Sequence, residues 1–471
     1  MTSLEPGDIQ GVVARGYGNL RAACFVLLGI EDAVAARNWL GVRIAQVATS
    51  KAKAEGSALN LAFTHRGLER LGLPPEAGER FSPEFIEGMC AEHRTRILGD
   101  VGESHPDAWA WGSGATAPID MLLMLYATDE AGLASHSSEV AASLAAGGLR
   151  EVARLDTTDL GFQEHFGFRD GISQPAIEGL DRPAREMDTV RAGEFLLGHG
   201  NEYGQLTDRP TLPRSADPAR HLAQAQGDRS RVDFGKNGTY LVFRQLKQEV
   251  RGFWRYLAEV TEGADGSPDT AARVRLAAKM VGRWPGGASL SLCPESDDPA
   301  LATFNDFGYH EGDRDGLGCP IAAHVRRANP RDSLPPGPGT AESISINKRH
   351  RLLRRGRTYG PRLSMEDAAV AGPVGAEPEP ERGLYFICLG ANISRQFEFV
   401  QHTWVNSAKF AGLYDDSDPI SGQRGPYGNS FTVPANPVRE RWTDLPAFVS
   451  VRGGGYFFLP SVRALRYLAS L

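Results

Sequence analysis

Cysteine is scarce in this chain, and no pattern uses it. Cys24, Cys90, Cys293, Cys319 and Cys388 are five, odd in number and scattered, without a C-x-x-C pair for zinc, redox exchange or covalent haem. A reducing compartment follows. Long hydrophobic runs are missing too: the longest, "AACFVLLGI" at 22–30, is far short of the roughly 20 residues that span a bilayer. The opening "MTSLEPGDIQG" has no charged n-region, no apolar h-region and no twin arginine. A cytoplasmic protein without membrane association is expected. Positive charge is not in excess either. The net charge of -7 argues against a nucleic-acid coat, and the one basic run, "KRHRLLRRGR" at 348–357, has no aromatic residues interleaved for base stacking.

Several catalytic signatures are also missing. There is no G-x-S-x-G and no Walker loop, and "RGGGYFFLP" at 452–460 lacks dinucleotide-loop spacing, reading instead as a tight turn before a strand. "HEGDRDG" at 310–316 carries Asp313 and Asp315 but lacks the third spaced acidic ligand and the terminal Glu of a calcium loop.

What is present is an ordinary globular composition, 41% hydrophobic and 23% charged, over 471 residues, which is long enough for two packed domains. "LRAACFVLLGIE" reads as a buried strand and "DAVAARNWLGVRIAQV" as a helix. "SALNLAFTHRGLERLGL" repeats strand and short helix; "PIDMLLMLYATD", "SEVAASLAAGG" and "LREVARLDT" follow as strand, helix and strand. That order is a ferredoxin-like unit. A second begins at "GTYLVFRQL", with helices in "KQEVRGFWRYLAEVTE" and "DTAARVRLAAKMVGRW", and later "RGLYFICLG" and "NISRQFEFVQHTWVN". The expected fold class is α+β, two ferredoxin-like halves with antiparallel sheets and packed helices, divided as 1–215 and 216–471. Pro- and Gly-rich stretches at 199–231, 329–343 and 369–382 read as long loops, functional or disordered.

The chemistry centres on "HFGFRDGISQP" at 165–175, where Asp170 sits between two glycines among rings and apolar side chains. Asp-Gly is a strong turn signal by itself. His324, in "GLGCPIAAHVRRANPRD", is delivered by an apolar stretch and followed by Arg326 and Arg327. A neutral imidazole is a common axial haem ligand, and neighbouring guanidiniums suit haem propionates; a core histidine beside a basic helix face is the plain alternative. In "HRLLRRGRTYG" an arginine flanked by Leu352, Leu353 and Tyr359 is either partly buried or part of a solvated face. Paired with Asp170, it would give a proton-moving carboxylate and a guanidinium that stabilises negative oxygen, the requirements of peroxide heterolysis on iron.

Together these segments resemble the dye-decolourising haem peroxidases, extended subgroup, of the dimeric α+β barrel-like superfamily. "GFRDGISQP" is similar to their G-x-x-D-G signature, "CPIAAHVRRANPR" to the proximal-histidine segment, "LLRRGRTYG" to the distal-arginine segment and "RGLYFICLG" to a pocket-lining segment. "DIQG", "GEFLLG", "VGRWPGGA" and "GGGYFFLPS" extend the resemblance almost end to end. It implies non-covalent haem b with His324 on the iron, Asp170 and Arg354 as the distal pair, Arg326, Leu384 and Phe386 at the cofactor, and Asp418 behind the imidazole. The 1–215 half would carry the G-x-x-D-G segment and the 216–471 half most of the haem pocket. The implied activity is oxidation of dyes and phenolic or lignin-like aromatics by hydrogen peroxide in one-electron steps. Tyr359 is the implied relay for bulky donors, with Trp404 and Trp254 behind it; for Tyr359 a core aromatic is the alternative. Some extended members oxidise Mn(II), for which Glu259, Glu262 and Asp265 form a sequence cluster, equally explained by an exposed helix end. A haem carrier with incidental peroxidase activity is the competing function. Packaging in a protein shell is not expected, since "VRALRYLASL" follows the last strand without a linker and tail.

Overall fold

The computed structural model describes residues 4–181, 184–370, 379–425 and 428–471. Strand β1 (Ala22–Ile30) is buried along its whole length, which is why it reads as an unbroken apolar run rather than an alternation. Helix α1 (Ala33–Arg43) follows, its first amides capped by the Asp32 carboxylate. Then come β2 (Ser57–Phe63), β3 (Met121–Ala127), α2 (Glu130–Leu144) and β4 (Leu149–Asp156). They pair antiparallel in the order β2-β3-β1-β4, a ferredoxin-like unit.

The pattern returns with β5 (Thr239–Gln248), α3 (Val250–Val260) and α4 (Thr270–Val281). After the short helix α5 (His324–Ala328) come strands β6 (Leu353–Arg354), β7 (Arg357–Tyr359) and β8 (Gly383–Gly390), then β9 (Val449–Leu459) and α6 (Val462–Ser470). Both β6 and β7 pair with β8, β8 with β5, and β5 with β9. A bridge from Phe458 of β9 to Phe63 of β2 joins the two units into one nine-stranded sheet. The fold is thus the expected α+β pair of ferredoxin-like halves. Among the described residues no helix is long and apolar enough to cross a membrane.

Side-chain alternation along β8 prepares the site. Tyr385, Ile387 and Leu389 point into the core on one face of the sheet, while Leu384 and Phe386 face the other way and line a cavity. Across β5 their partners Leu246 and Arg244 line the same cavity.

Two sequence expectations need correction. Gly453, Gly454 and Gly455 are not a turn before a strand; they lie inside β9. A Cβ on Gly453 would come 2.5 Å from the Trp111 ring nitrogen, so close approach of a neighbour, not turning, demands glycine there. The 199–231 stretch is not all loop: Thr211–Pro213, Ala223–Gln224 and Arg231–Asp233 form a small antiparallel sheet. Of the 369–382 loop, 371–378 lie outside the described residues. Gly453→Ala should cost about 1–3 kcal/mol by overpacking. Chemical denaturation would show a lowered midpoint, and an unchanged midpoint would contradict the packing account.

Candidate active site

A cavity of about 500 Å³ lies between the second half of the sheet and the helices. Its sheet wall is Arg244, Leu246 and Gln248 from β5, Leu384 and Phe386 from β8, and Val449 and Val451 from β9. The other walls come from the end of α4, the start of α5 and a π-helical segment at 394–405, through Val281, His324, Phe397 and Val400. π-Helical turns are rare and concentrate at functional sites.

The loop at 164–174 supplies Asp170. Phe166 packs on Phe253 with ring centroids 4.6 Å apart, and Phe168 lies parallel to Trp254 of α3. Glu164 caps the turn: its carboxylate accepts from the amides of Phe166 and Phe168, each at 2.9 Å, and from Gln248 Nε2 at 2.7 Å. Gly167 and Gly171 both adopt positive φ, +94° and +81°, which side chains disfavour and glycine permits. Anchored this way, Asp170 opens onto the cavity, its carboxylate Oδ1 accepting from the Gly171 amide at 2.6 Å and from Arg354 Nη1 at 2.8 Å. Burial by itself would raise the Asp170 pKa. The charge of Arg354, the Gly171 amide and the Arg354 hydrogen bond outweigh it and hold the carboxyl below its ordinary range.

Arg354 is placed by the same loop. Its backbone amide donates to Gln174 Oε1 at 3.0 Å, so the signature segment grips both ends of this residue. The basic run around it is not a solvated face. Arg351 and Arg355 are buried, Arg355 donating to the carbonyls of Val12 and Val13 and Arg351 ion-paired to Asp188 at 3.3 Å.

His324 is the first residue of α5 and lines the cavity. Its Nδ1 donates to Asp418 Oδ2 at 2.7 Å, and the fully buried Asp418 is itself held through Oδ1 by the amides of Ile420 and Ser421. Burial works against a charged imidazole, but Asp418's charge and hydrogen bond prevail and raise the His324 pKa. With Nδ1 engaged, Nε2 is the nitrogen available to a ligand.

Asp170, Arg354, His324, Leu384 and Phe386 thus share one cavity. Arg326 does not join them. Two residues after His324, it lies about 200° round the helix, and its guanidinium donates to the carbonyls of Asp313, Arg314 and Cys319 over the Tyr309 ring. Arg327 donates to four carbonyls, of Ala322, Trp404, Ser407 and Asp416, and is likewise spent. Arg331 and Arg351 do line the cavity; Arg331 is engaged by the carbonyls of Asn305 and Phe307, whereas Arg351 keeps a buried Nη2 without a partner. Tyr359 is buried rather than superficial, stacked on Tyr385 at 4.5 Å with its hydroxyl donating to Glu381. Trp404 and Trp254 are buried as well. Among the described residues no three His, Cys, Asp or Glu side chains assemble as a metal-holding group, so Glu259, Glu262 and Asp265 do not converge. Glu164 and Gln248 went unnoticed in the sequence; the only signal was a carboxylate immediately ahead of the H-F-G-F stretch.

No protein-family model matches the chain. It is 30% identical to a dye-decolorizing peroxidase of Mycena epipterygia across 99% of this chain and 88% of that protein. The chain belongs to the dye-decolorizing peroxidases. It is an enzyme of that type. A solved dye-decolorizing peroxidase engineered in its heme pocket for asymmetric sulfoxidation superposes with a TM-score of 0.79 at 28% identity, covering 99% of this chain and 100% of that one. Another, in complex with 2,6-dimethoxyphenol, gives 0.77 at 26% identity over 99% and 100%.

Haem fits the residues of this dye-decolorizing peroxidase. A free imidazole nitrogen, apolar walls at Leu246, Leu384 and Phe386, and an orphaned buried guanidinium nitrogen on Arg351 are the donors and surfaces that an iron porphyrin with propionates requires. Arg354→Leu should raise the Asp170 pKa, because it removes the charge that holds it down. Carboxyl-carbon NMR titration reads this directly, and an Asp170 pKa that stays put would contradict the pairing.

Proposed function

We propose that this peroxidase holds haem b non-covalently in the 500 Å³ cavity, with His324 as axial ligand, and uses hydrogen peroxide to oxidise dyes and phenolic or lignin-like aromatics. The observation that carries the reading is the Asp170–Arg354 pair, 2.8 Å apart, opening onto the same cavity as an Asp418-backed imidazole. A haem carrier needs the imidazole; it has no use for the pair. When bound, haem supplies the redox centre at which the O–O bond breaks and from which two one-electron oxidations are delivered.

The chain's own residues supply the rest. Asp170 Oδ1 is occupied by Arg354 and Gly171, leaving Oδ2 to take the proton from the inner peroxide oxygen and return it to the outer one, which leaves as water. Because its pKa is held low, Asp170 is ionised, as a base must be, through the neutral and mildly acidic range. Arg354 stabilises negative charge on the departing oxygen. Leu246, Leu384 and Phe386 give the cavity an apolar wall on its sheet side. Arg351, with its unpartnered Nη2, is the guanidinium we assign to a propionate, in place of Arg326.

Bulky donors react at a distance. We assign the relay to Tyr359, whose ring stacks on Tyr385 and whose hydroxyl proton has a base in the half-exposed Glu381 carboxylate when the ring is oxidised. The halves 1–215 and 216–471 remain our division of the chain, supported by the repeated strand order. A cytoplasmic location is supported by five cysteines that are all free thiols.

Asp170→Asn should slow the peroxide-driven change in the visible spectrum by about 10²–10⁴-fold, with haem uptake intact. Stopped-flow absorbance after mixing with one equivalent of peroxide measures it, and an unchanged rate would remove Asp170 from the mechanism.

A further inference from the structure

The turn that presents Asp170 carries a second charged side chain that the proton transfer leaves unused. The Asp170 amide donates to the Phe162 carbonyl at 2.8 Å, and the Arg169 amide to the Pro285 carbonyl at 3.2 Å. A bridge between Gln163 and Arg169 completes a tight antiparallel turn, so Phe162 and Arg169 lie side by side. Arg169 lines the cavity where it opens to solvent, for Asp170 and Gly171 next to it are exposed. Among the described residues its guanidinium makes no ion pair and no hydrogen bond. It lies instead on the Phe162 ring, 4.7 Å from the centroid. Such a cation–π contact holds the guanidinium flat and leaves the donors along its edge free.

The rim around this pair is apolar and open. Phe162 is 69% exposed and Phe304 40%. Arg283 takes the carbonyls of Gly287 and Phe304, and a Cβ on Gly287 would come 2.9 Å from Arg169 Cδ and 3.1 Å from Ile172 Cδ1. Those contacts bring Arg169, Ile172 and the Phe304 segment to one edge of the cavity. The carboxylates of the adjoining segments are already engaged: Asp159 by the Gly161 amide and Arg21, Asp297 by the Gly286 amide, and Asp170 by Arg354. Arg362 adds a second cation beside the turn, its Nη2 donating to Gln163 Oε1 at 2.7 Å. On a chain with net charge -7, this rim is a local positive spot. A planar guanidinium without a partner suits a carboxylate, which it meets with two parallel N–H donors.

We propose that Arg169, seated on Phe162, is the specificity residue for aromatic donors that carry a carboxylate. The carboxylate takes the edge of the guanidinium at the rim, and a phenolic hydroxyl para to it points inward past Asp170. Small phenolic acids thereby reach the cavity directly, while bulky donors use the relay assigned to Tyr359. The inference rests on the peroxidase reading above and names the donor class that the cavity mouth selects. It adds no chemical step to the one-electron oxidation already described.

The test compares 4-hydroxy-3,5-dimethoxybenzoate with 2,6-dimethoxyphenol, which differ only by the carboxylate, on the haem-loaded full chain. At about pH 6 the benzoate is ionised and the phenol hydroxyls are not. Line broadening of the ligand in NMR gives Kd on the resting enzyme without peroxide, and steady-state turnover gives KM and kcat. Arg169→Gln should raise Kd and KM of the benzoate relative to those of the phenol by about 2- to 5-fold, the span of an exposed ion pair, with the kcat ratio unmoved. Arg169→Glu should go further in the same direction, because it replaces attraction by repulsion. Phe162→Ala, which unseats the guanidinium, should shift the ratio the same way. The phenol serves in every variant as the control for an intact fold and haem site. A Kd ratio that stays the same in Arg169→Gln and Arg169→Glu, or a discrimination that changes through kcat alone, overturns the proposal. A benzoate that binds as described, with neither donor turned over by peroxide, overturns the peroxidase reading instead.

Discussion

The hydrogen bond between His324 and Asp418 is the interaction on which the rest of the site depends. A fully buried carboxylate is costly unless its lone pairs are met, and here one oxygen takes two backbone amides while the other takes the imidazole Nδ1. That arrangement fixes the ring's tautomer and aims its second nitrogen. The surroundings brace the pair: the Asp418 amide donates to the Val405 carbonyl of the π-helical segment, and Arg327 ties α5 to that segment through the Trp404 carbonyl and to the chain beyond it through those of Ser407 and Asp416. Arg327, in this light, is a brace for the imidazole, and its burial is compensated by the carbonyls it serves.

The opposite charge logic rules the Asp170 loop. Two phenylalanines sink into the helical core, two glycines turn the backbone, and the carboxylate that emerges is met by one guanidinium. Gln174 ties the Arg354 backbone to the loop, so acid–base pair and backbone form one unit rather than two side chains that happen to meet. Such preorganisation is what makes a dipole or charge effective in a poorly hydrated cavity. Beneath it, Glu164 ties loop to sheet.

Much of this was legible in the sequence. The longer strands announce themselves as short apolar runs bounded by turn residues, while β6 and β7, inside the basic run, and the glycine-rich start of β9 do not; the segments bearing Asp170, His324 and Arg354 stand out by their order. What escaped did so for physical reasons. Arg326 looked suitable because it is two residues from His324, but adjacency along a helix is not adjacency in space, and the residue points at the 313–319 loop. Arg351, two residues before β6 begins, carries no local mark of its orphaned nitrogen, since that depends on Asp188 satisfying only part of the guanidinium. The glycines of β9 looked like a turn because their crowding partner, Trp111, is more than three hundred positions away in sequence. Glu164 is legible only once its three donors, one of them from β5, are seen together.

The most direct test of the account is haem titration of the wild-type chain and of His324→Ala, followed by absorbance and electron paramagnetic resonance. The wild type should take up a single haem with the signature of an imidazole-ligated ferric iron, and His324→Ala should lose that signature and regain it on addition of free imidazole. Identical spectra and uptake in the two proteins would contradict the assignment of His324 as the axial ligand, and with it the site on which the proposed chemistry is built.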